Sequence, residues 1–157
     1  MSFTLSTPVT GAAMTGYLTS PTYTVALDSI PGGGLTKQYA VTALGGTQTD
    51  VSTHSTSSPF AISLTRPQTF KGLGAVNPST GALNSVPRNV WKLICVKGAT
   101  PLAGQPPVNC VIRTEITVPA GVDVADPNEL AAMLSLYIGA LTQLGKETVD
   151  SLRYGII

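Results

Sequence analysis

Side chains able to carry chemistry are sparse in this sequence: one histidine, two cysteines and eight carboxylates among 157 residues. His54 lies in residues 47–58, a Ser/Thr-rich run without periodicity or an aliphatic core, which reads as a loop. A histidine base needs an ordered nucleophile and an orienting carboxylate. That run supplies no such pattern, so a surface-loop histidine is expected. Gly32, Gly33 and Gly34, and the pair Gly72 and Gly74, lack the spacing of a dinucleotide fingerprint and the lysine of a phosphate loop, and read as turns. With one histidine and no CxxC pair, no zinc site is expected. Cys95 and Cys110 could face one another across a hairpin. In a chain without export signals, free thiols are the expectation. The sequence therefore predicts no enzyme, no metal and no cofactor.

Binding chemistry is better represented. Net charge is only +1, but the charges are sorted: seven lysines and arginines lie between Lys37 and Arg113 against Asp50 alone, whereas six carboxylates from Glu115 onward face only Lys146 and Arg153. If strands carry the first set and helices the second, one side of the molecule is basic and the other acidic. Solvated surface charge explains the same pattern equally well at this point.

The elements that must position these groups follow from hydrophobic period and turn residues. Residues 3–18 suggest a hairpin around Thr10-Gly11 and Thr15-Gly16. Strands are expected at 23–30, stopped by Pro31 and the glycines, and at 39–44. A third is expected at 60–65, where Phe60, Ile62 and Leu64 alternate with Ala61, Ser63 and Thr65. Two more follow at 90–96 and 108–118. The Gly, Pro, Asn and Ser content of 67–87 predicts a long exposed and mobile connection. Taken as an antiparallel pair, the last two strands put Trp91, Leu93, Cys95, Cys110, Ile112, Thr114 and Ile116 beneath the helices. Lys92, Val111, Arg113 and Glu115 then lie on the opposite face.

The strongest local signal is the helix start, with Asp126 as N-cap, Pro127 at the first position and Glu129 completing a capping box. Leu130, Met133, Leu134, Tyr137, Ile138, Leu141 and Leu144 recur at helical spacing, and Gly145 is a natural stop. The other face is mostly Ala131, Ala132, Leu136, Gly139 and Ala140, so the helix is nearly apolar all round. Such a helix is expected to be buried on more than one side. Charged residues make up 11% of the chain, well below the usual soluble fraction, a balance that suits an assembled protein. The longest apolar run is too short to span a membrane and the N-terminus lacks a signal-peptide pattern, so a soluble, unexported chain is expected.

The order of strands, the segment Arg113-Thr-Glu-Ile-Thr-Val-Pro119, the capped helix, a second short helix and the tail Tyr154-Gly-Ile-Ile157 together resemble the coat proteins of single-stranded RNA bacteriophages, the leviviruses. The resemblance covers most of the chain from Tyr23 onward and is strongest from Val90. It implies an α+β fold in a single domain over 1–157: an N-terminal hairpin (1–20), a five-stranded antiparallel sheet (21–118) and two C-terminal helices (126–157) interlocked with the sheet of a second subunit. It also implies a virion capsid protein, made in the bacterial host cytoplasm, whose obligate homodimers close into an icosahedral shell around single-stranded viral RNA, with no membrane partner. Matched by position, Ser63, Thr65, Lys92, Arg113 and Glu115 are the implied RNA-binding residues, for packaging and for an RNA hairpin that represses translation. Val111 and Ile94 depart from the family pattern at that surface. Leu130, Leu134, Tyr137, Ile138 and Leu141 are the expected dimer interface, and 67–88 and 97–107 the expected contacts between dimers. The competing class is a self-assembling pilus or tail subunit without nucleic acid.

Overall fold

The computed structural model describes residues 3–28 and 34–157. Six strands and three helices follow one another: β1 (Val9–Thr10), β2 (Thr19–Asp28), β3 (Thr36–Thr47), β4 (Phe60–Thr65), β5 (Arg88–Ala99), β6 (Val108–Pro119), α1 (Val122–Ala125), α2 (Pro127–Gln143) and α3 (Gly145–Tyr154). The strands form one antiparallel sheet in the order β1-β2-β3-β4-β5-β6. The fold is thus α+β with six strands where the sequence predicts five, because β1 of the N-terminal hairpin pairs with β2 and joins the sheet. The predicted strand ending at Ile30 and the Gly32-Gly33 turn reach beyond the described residues.

β4 forms where alternation predicts it, β5 outruns its predicted range by two residues at its start and three at its end, and β6 by Pro119 alone, as their ladder continues through Ala99↔Val108 and Arg88↔Pro119. On one face, Tyr39 and Val41 are buried, Phe3 meets Tyr39 edge-on at 5.9 Å, and Tyr23 meets Phe60 at 5.6 Å. Such edge-to-face pairs add to the burial of the rings themselves. The 47–58 run is a loop, but His54 is not a free surface side chain. Its backbone N–H donates to the Val41 carbonyl and its Nδ1 accepts from the Phe60 N–H at 3.0 Å, so it staples the loop to the start of β4.

The 67–87 connection is exposed along most of its length, yet it is tied down. Asn89 is 2% exposed, and its amide both accepts from the Lys71 N–H and donates to the Lys71 carbonyl, each at 2.8 Å. Further on, a bridge between Val76 and Leu83 and a turn closed by Asn77 build a small projecting hairpin. Expected mobility gives way to anchorage because a buried side-chain amide substitutes for a strand partner.

The helix start falls at Pro127 as predicted, with Asp126 at the N-cap position. The capping box does not form, however: no side-chain cap bond is made, and the Asp126 N–H closes α1 by donating to the Val122 carbonyl. Gly145 does not end the helical region either. α2 closes at Leu144, and Gly145 opens α3 in a buried position beside Met14. Within the chain α2 buries none of its residues, and Leu136, Ile138 and Leu141 are 76%, 61% and 51% exposed. The chain exposes 10982 Å², whereas a compact monomer of 16.1 kDa would expose roughly 7,400 Å².

α3 is held to the N-terminal hairpin through polar groups. Tyr17 donates to Asp150 Oδ1 at 2.7 Å, Lys146 donates to Oδ2 at 2.6 Å, and Arg153 donates to the Tyr17 oxygen at 3.2 Å. The Lys146 hydrogen bond, and then the one from Tyr17, hold the Asp150 carboxyl below the usual carboxylate range. A carboxyl whose pKa is lowered by folding contributes stability above its unfolded value and loses it as pH falls through the folded value. The melting temperature of Asp150→Asn is therefore expected below that of wild type at neutral pH, with the gap closing below about pH 4. A gap unchanged across that range would remove Asp150 as the source.

Candidate nucleic-acid interface

Strand register decides which side chains share a surface. β4 pairs with β5 through Ser63↔Ile94 and Thr65↔Lys92, and β5 pairs with β6 through Lys92↔Glu115 and Ile94↔Arg113. Because side chains alternate across a strand, Ser63, Thr65, Lys92, Arg113 and Glu115 fall on one face in two adjacent rungs. The rungs extend onto β3, where Thr36 opposes Thr65 and Gln38 opposes Ser63, and Gln38 opposes Asp28 of β2. The other face carries Leu64, Leu93 and Thr114 on one rung and Tyr39, Ile62, Cys95 and Ile112 on the next. That second face meets α2, since the Thr114 hydroxyl lies 3.0 Å from that of Tyr137.

The polar face is a lattice of donors and acceptors with modest charge. Thr36 and Thr65 share a hydrogen bond at 2.9 Å, Gln38 donates to Asp28 at 2.7 Å, and Lys92 lies 3.2 Å from Glu115. Both ends of that ion pair are more than half exposed, so solvent weakens it and either group can turn to another partner. Ile94, Val96 and Val111 supply an apolar floor beside it. Alternation also brings Arg88 to this face, a residue the resemblance does not single out although it lies four positions before Lys92. Asp28, Thr36 and Gln38 likewise join the surface from strands whose motif is silent about it. On the described strands, the face holds Arg88, Lys92 and Arg113 against Asp28 and Glu115.

The expected segregation of all strand cations to one face does not hold. Lys97 pairs with Phe60, stacks over its ring at 5.0 Å, donates to Ser52 at 2.9 Å and has its pKa lowered by burial. Lys37 donates to the Phe3 carbonyl at 3.1 Å. Both belong to the helix-side face, because alternation puts Lys37 in phase with Tyr39 and Lys97 in phase with Cys95. Nor do the cysteines oppose one another: Cys95 pairs with Ile112 and Cys110 with Lys97, and both are free thiols. Burial pushes the Cys95 thiol up. No group of three or more metal-ligating side chains gathers among the described residues, and no helix among them is long and apolar enough to cross a membrane.

The expected interface residues of α2 divide into two groups. Leu130 and Leu134 turn toward their own sheet and, with Phe70, Trp91, Ile116 and Val118, line an apolar cavity of about 310 Å³. Tyr137, Ile138 and Leu141 are largely exposed.

No family model and no curated protein matches the sequence. Among solved structures, a chain of the virus-like particle of bacteriophage ESE020 is similar at 47% identity and a TM-score of 0.92, across 99% of this chain and 100% of that one.

The exposure of the Lys92–Glu115 pair sets an expectation for its energetics. Glu115→Gln should shift stability by no more than about 1 kcal/mol in chemical denaturation. A larger loss would identify the pair as a fastener of β5 to β6 instead of a surface available to a ligand.

Proposed function

The chain belongs to the family of the bacteriophage ESE020 virus-like-particle protein and is a phage capsid-type protein, and from this we propose that it is a coat protein of the levivirus type, acting as an obligate dimer that encloses single-stranded RNA. The observation that carries assembly is the apolar surface one chain leaves uncovered. The surface in excess of a compact monomer is larger than the share that one partner contributes to most obligate interfaces. β6 adds to this: it is a twelve-residue strand at the sheet edge, with Val108 and Ile112 exposed. Long apolar edges are templates for pairing with another chain. A second copy that covers Tyr137, Ile138 and Leu141 and extends the sheet at β6 answers both.

In this reading the polar face of β3–β6 turns toward the RNA. Lys92 and Arg113 contact phosphates, Ser63 and Thr65 donate to phosphate or sugar oxygens, and Glu115 accepts from base amines. A two-fold axis repeats the set, and a many-copy shell multiplies it, so a low charge per chain is sufficient for packaging. The same face is the candidate surface for a regulatory RNA hairpin, with Glu115→Gln expected to change selectivity more than total uptake.

The dimer makes a sharp expectation at Ile138. On an exposed surface Ile138→Ala would be nearly neutral, whereas in a core shared with a second copy it should cost about 2–5 kcal/mol and shift the protein toward monomer. Analytical ultracentrifugation at micromolar concentration reads the outcome, and a stable wild-type monomer there would refute the obligate dimer. For RNA, Lys92→Ala with Arg113→Ala should lower affinity across sequences and flatten the salt dependence, because two phosphate contacts per chain no longer release counterions. Intact shells with undiminished RNA and an unchanged salt response would rule this face out. Wild-type particles with the 260 to 280 nm absorbance ratio of protein alone would favour a pilus or tail subunit.

A further inference from the structure

We infer that the 66–87 excursion is a brace that sets the direction in which α2 leaves the sheet, with Asn89 and Leu73 as its positioning residues. The inference starts from how little holds α2 within its own protomer. Among the described strands and helices its only close backbone neighbours are α1 and α3, and it meets the sheet through side chains. A helix attached in this way takes its direction from the corner that launches it, here residues 119–126.

The excursion grips that corner at both ends. At its return, the Pro87 carbonyl accepts from the Ala120 N–H at 2.8 Å, and Ala120 is 3% exposed. At its outset, the Leu73 side chain fills the space that a Cβ on Gly121 would need. Gly121 also has φ +88°, so glycine is required there on two counts. It is the residue from which α1 starts, and its carbonyl accepts from the Val124 and Ala125 amides. Asn89, opposite Val118 on β6, then locks Lys71 by two hydrogen bonds, which fixes Leu73 two residues away. Phe70 completes the arrangement, edge-on to Trp91 at 6.1 Å, and forms with it the wall of the cavity that Leu130 and Leu134 of α2 face. Sheet, excursion, corner and first turns of α2 thereby form one linked unit.

Hydrogen exchange of the full-length protein tests the brace directly. In Leu73→Ala, a change at a half-exposed side chain, the amides of Val124, Ala125 and Asp126 should exchange at least about tenfold faster while those of β3 to β5 keep wild-type protection. Leu73→Met, which preserves volume, should restore them. Unchanged exchange at the corner, or equal acceleration throughout the sheet, would overturn the brace. A second readout rests on the shell reading: Leu73→Ala particles, formed well below the melting temperature, should have a broader distribution of diameters than wild type. Uniform wild-type diameters would show that the excursion does not set the direction of α2. If wild type itself formed no particles, the shell reading would fall, and exchange at the corner would still decide the brace.

Discussion

An apolar helix that its own sheet cannot cover is the constraint on which the rest of this molecule depends. α2 carries aliphatic side chains around most of its circumference, and while Leu130 and Leu134 face their own sheet and Tyr137 reaches Thr114, Leu136, Ile138 and Leu141 stay exposed. Leaving apolar surface in water is unfavourable by about 25 cal/mol for each Å². The sheet shares the problem, since among the described residues β6 ends it with no partner strand. α2 meets β6 through Tyr137 and Thr114, so the two deficits belong to neighbouring elements. In the dimer proposed above, the fold is half of a structure, with β6 and α2 as its proposed surfaces of association.

The polar face obeys a different economy. Its hydroxyls and amides are already paired with one another, as in Thr36 with Thr65 and Gln38 with Asp28, and its ion pair is exposed. A face of this kind is cheap to expose and needs no partner for stability. The two-residue period of a strand is thus enough to put the apolar packing on one side of the sheet and the proposed recognition surface on the other.

How much of this was legible in the sequence depends on whether the signal is local. β4 is clear because Phe60, Ile62 and Leu64 alternate without interruption, and the pairing of β5 with β6 follows from two adjacent strands whose apolar parities match. The five proposed RNA contacts gather on one face for the same reason. Arg88 is equally legible in principle, lying four residues before Lys92, but a strand boundary drawn at Val90 hides it. Asn89 carries no local mark at all. Its burial depends on Lys71, eighteen residues away across an irregular segment, and a Gly- and Pro-rich composition points to mobility whether or not such an anchor exists. The cap of α2 fails for a related reason: composition shows that Asp126 can cap, but the preceding helical turn takes its backbone and leaves the side chain poorly aimed.

The two kinds of anchorage in the chain differ in what can undo them. Asn89 holds Lys71 in a site nearly closed to water, where neither group titrates, so pH and salt leave it alone. Tyr17, Asp150, Lys146 and Arg153 hold α3 to the N-terminal hairpin through a carboxylate with solvent access, and that tie weakens as the carboxyl is protonated. The launch of α2 is therefore secured by the permanent device and the position of α3 by the conditional one.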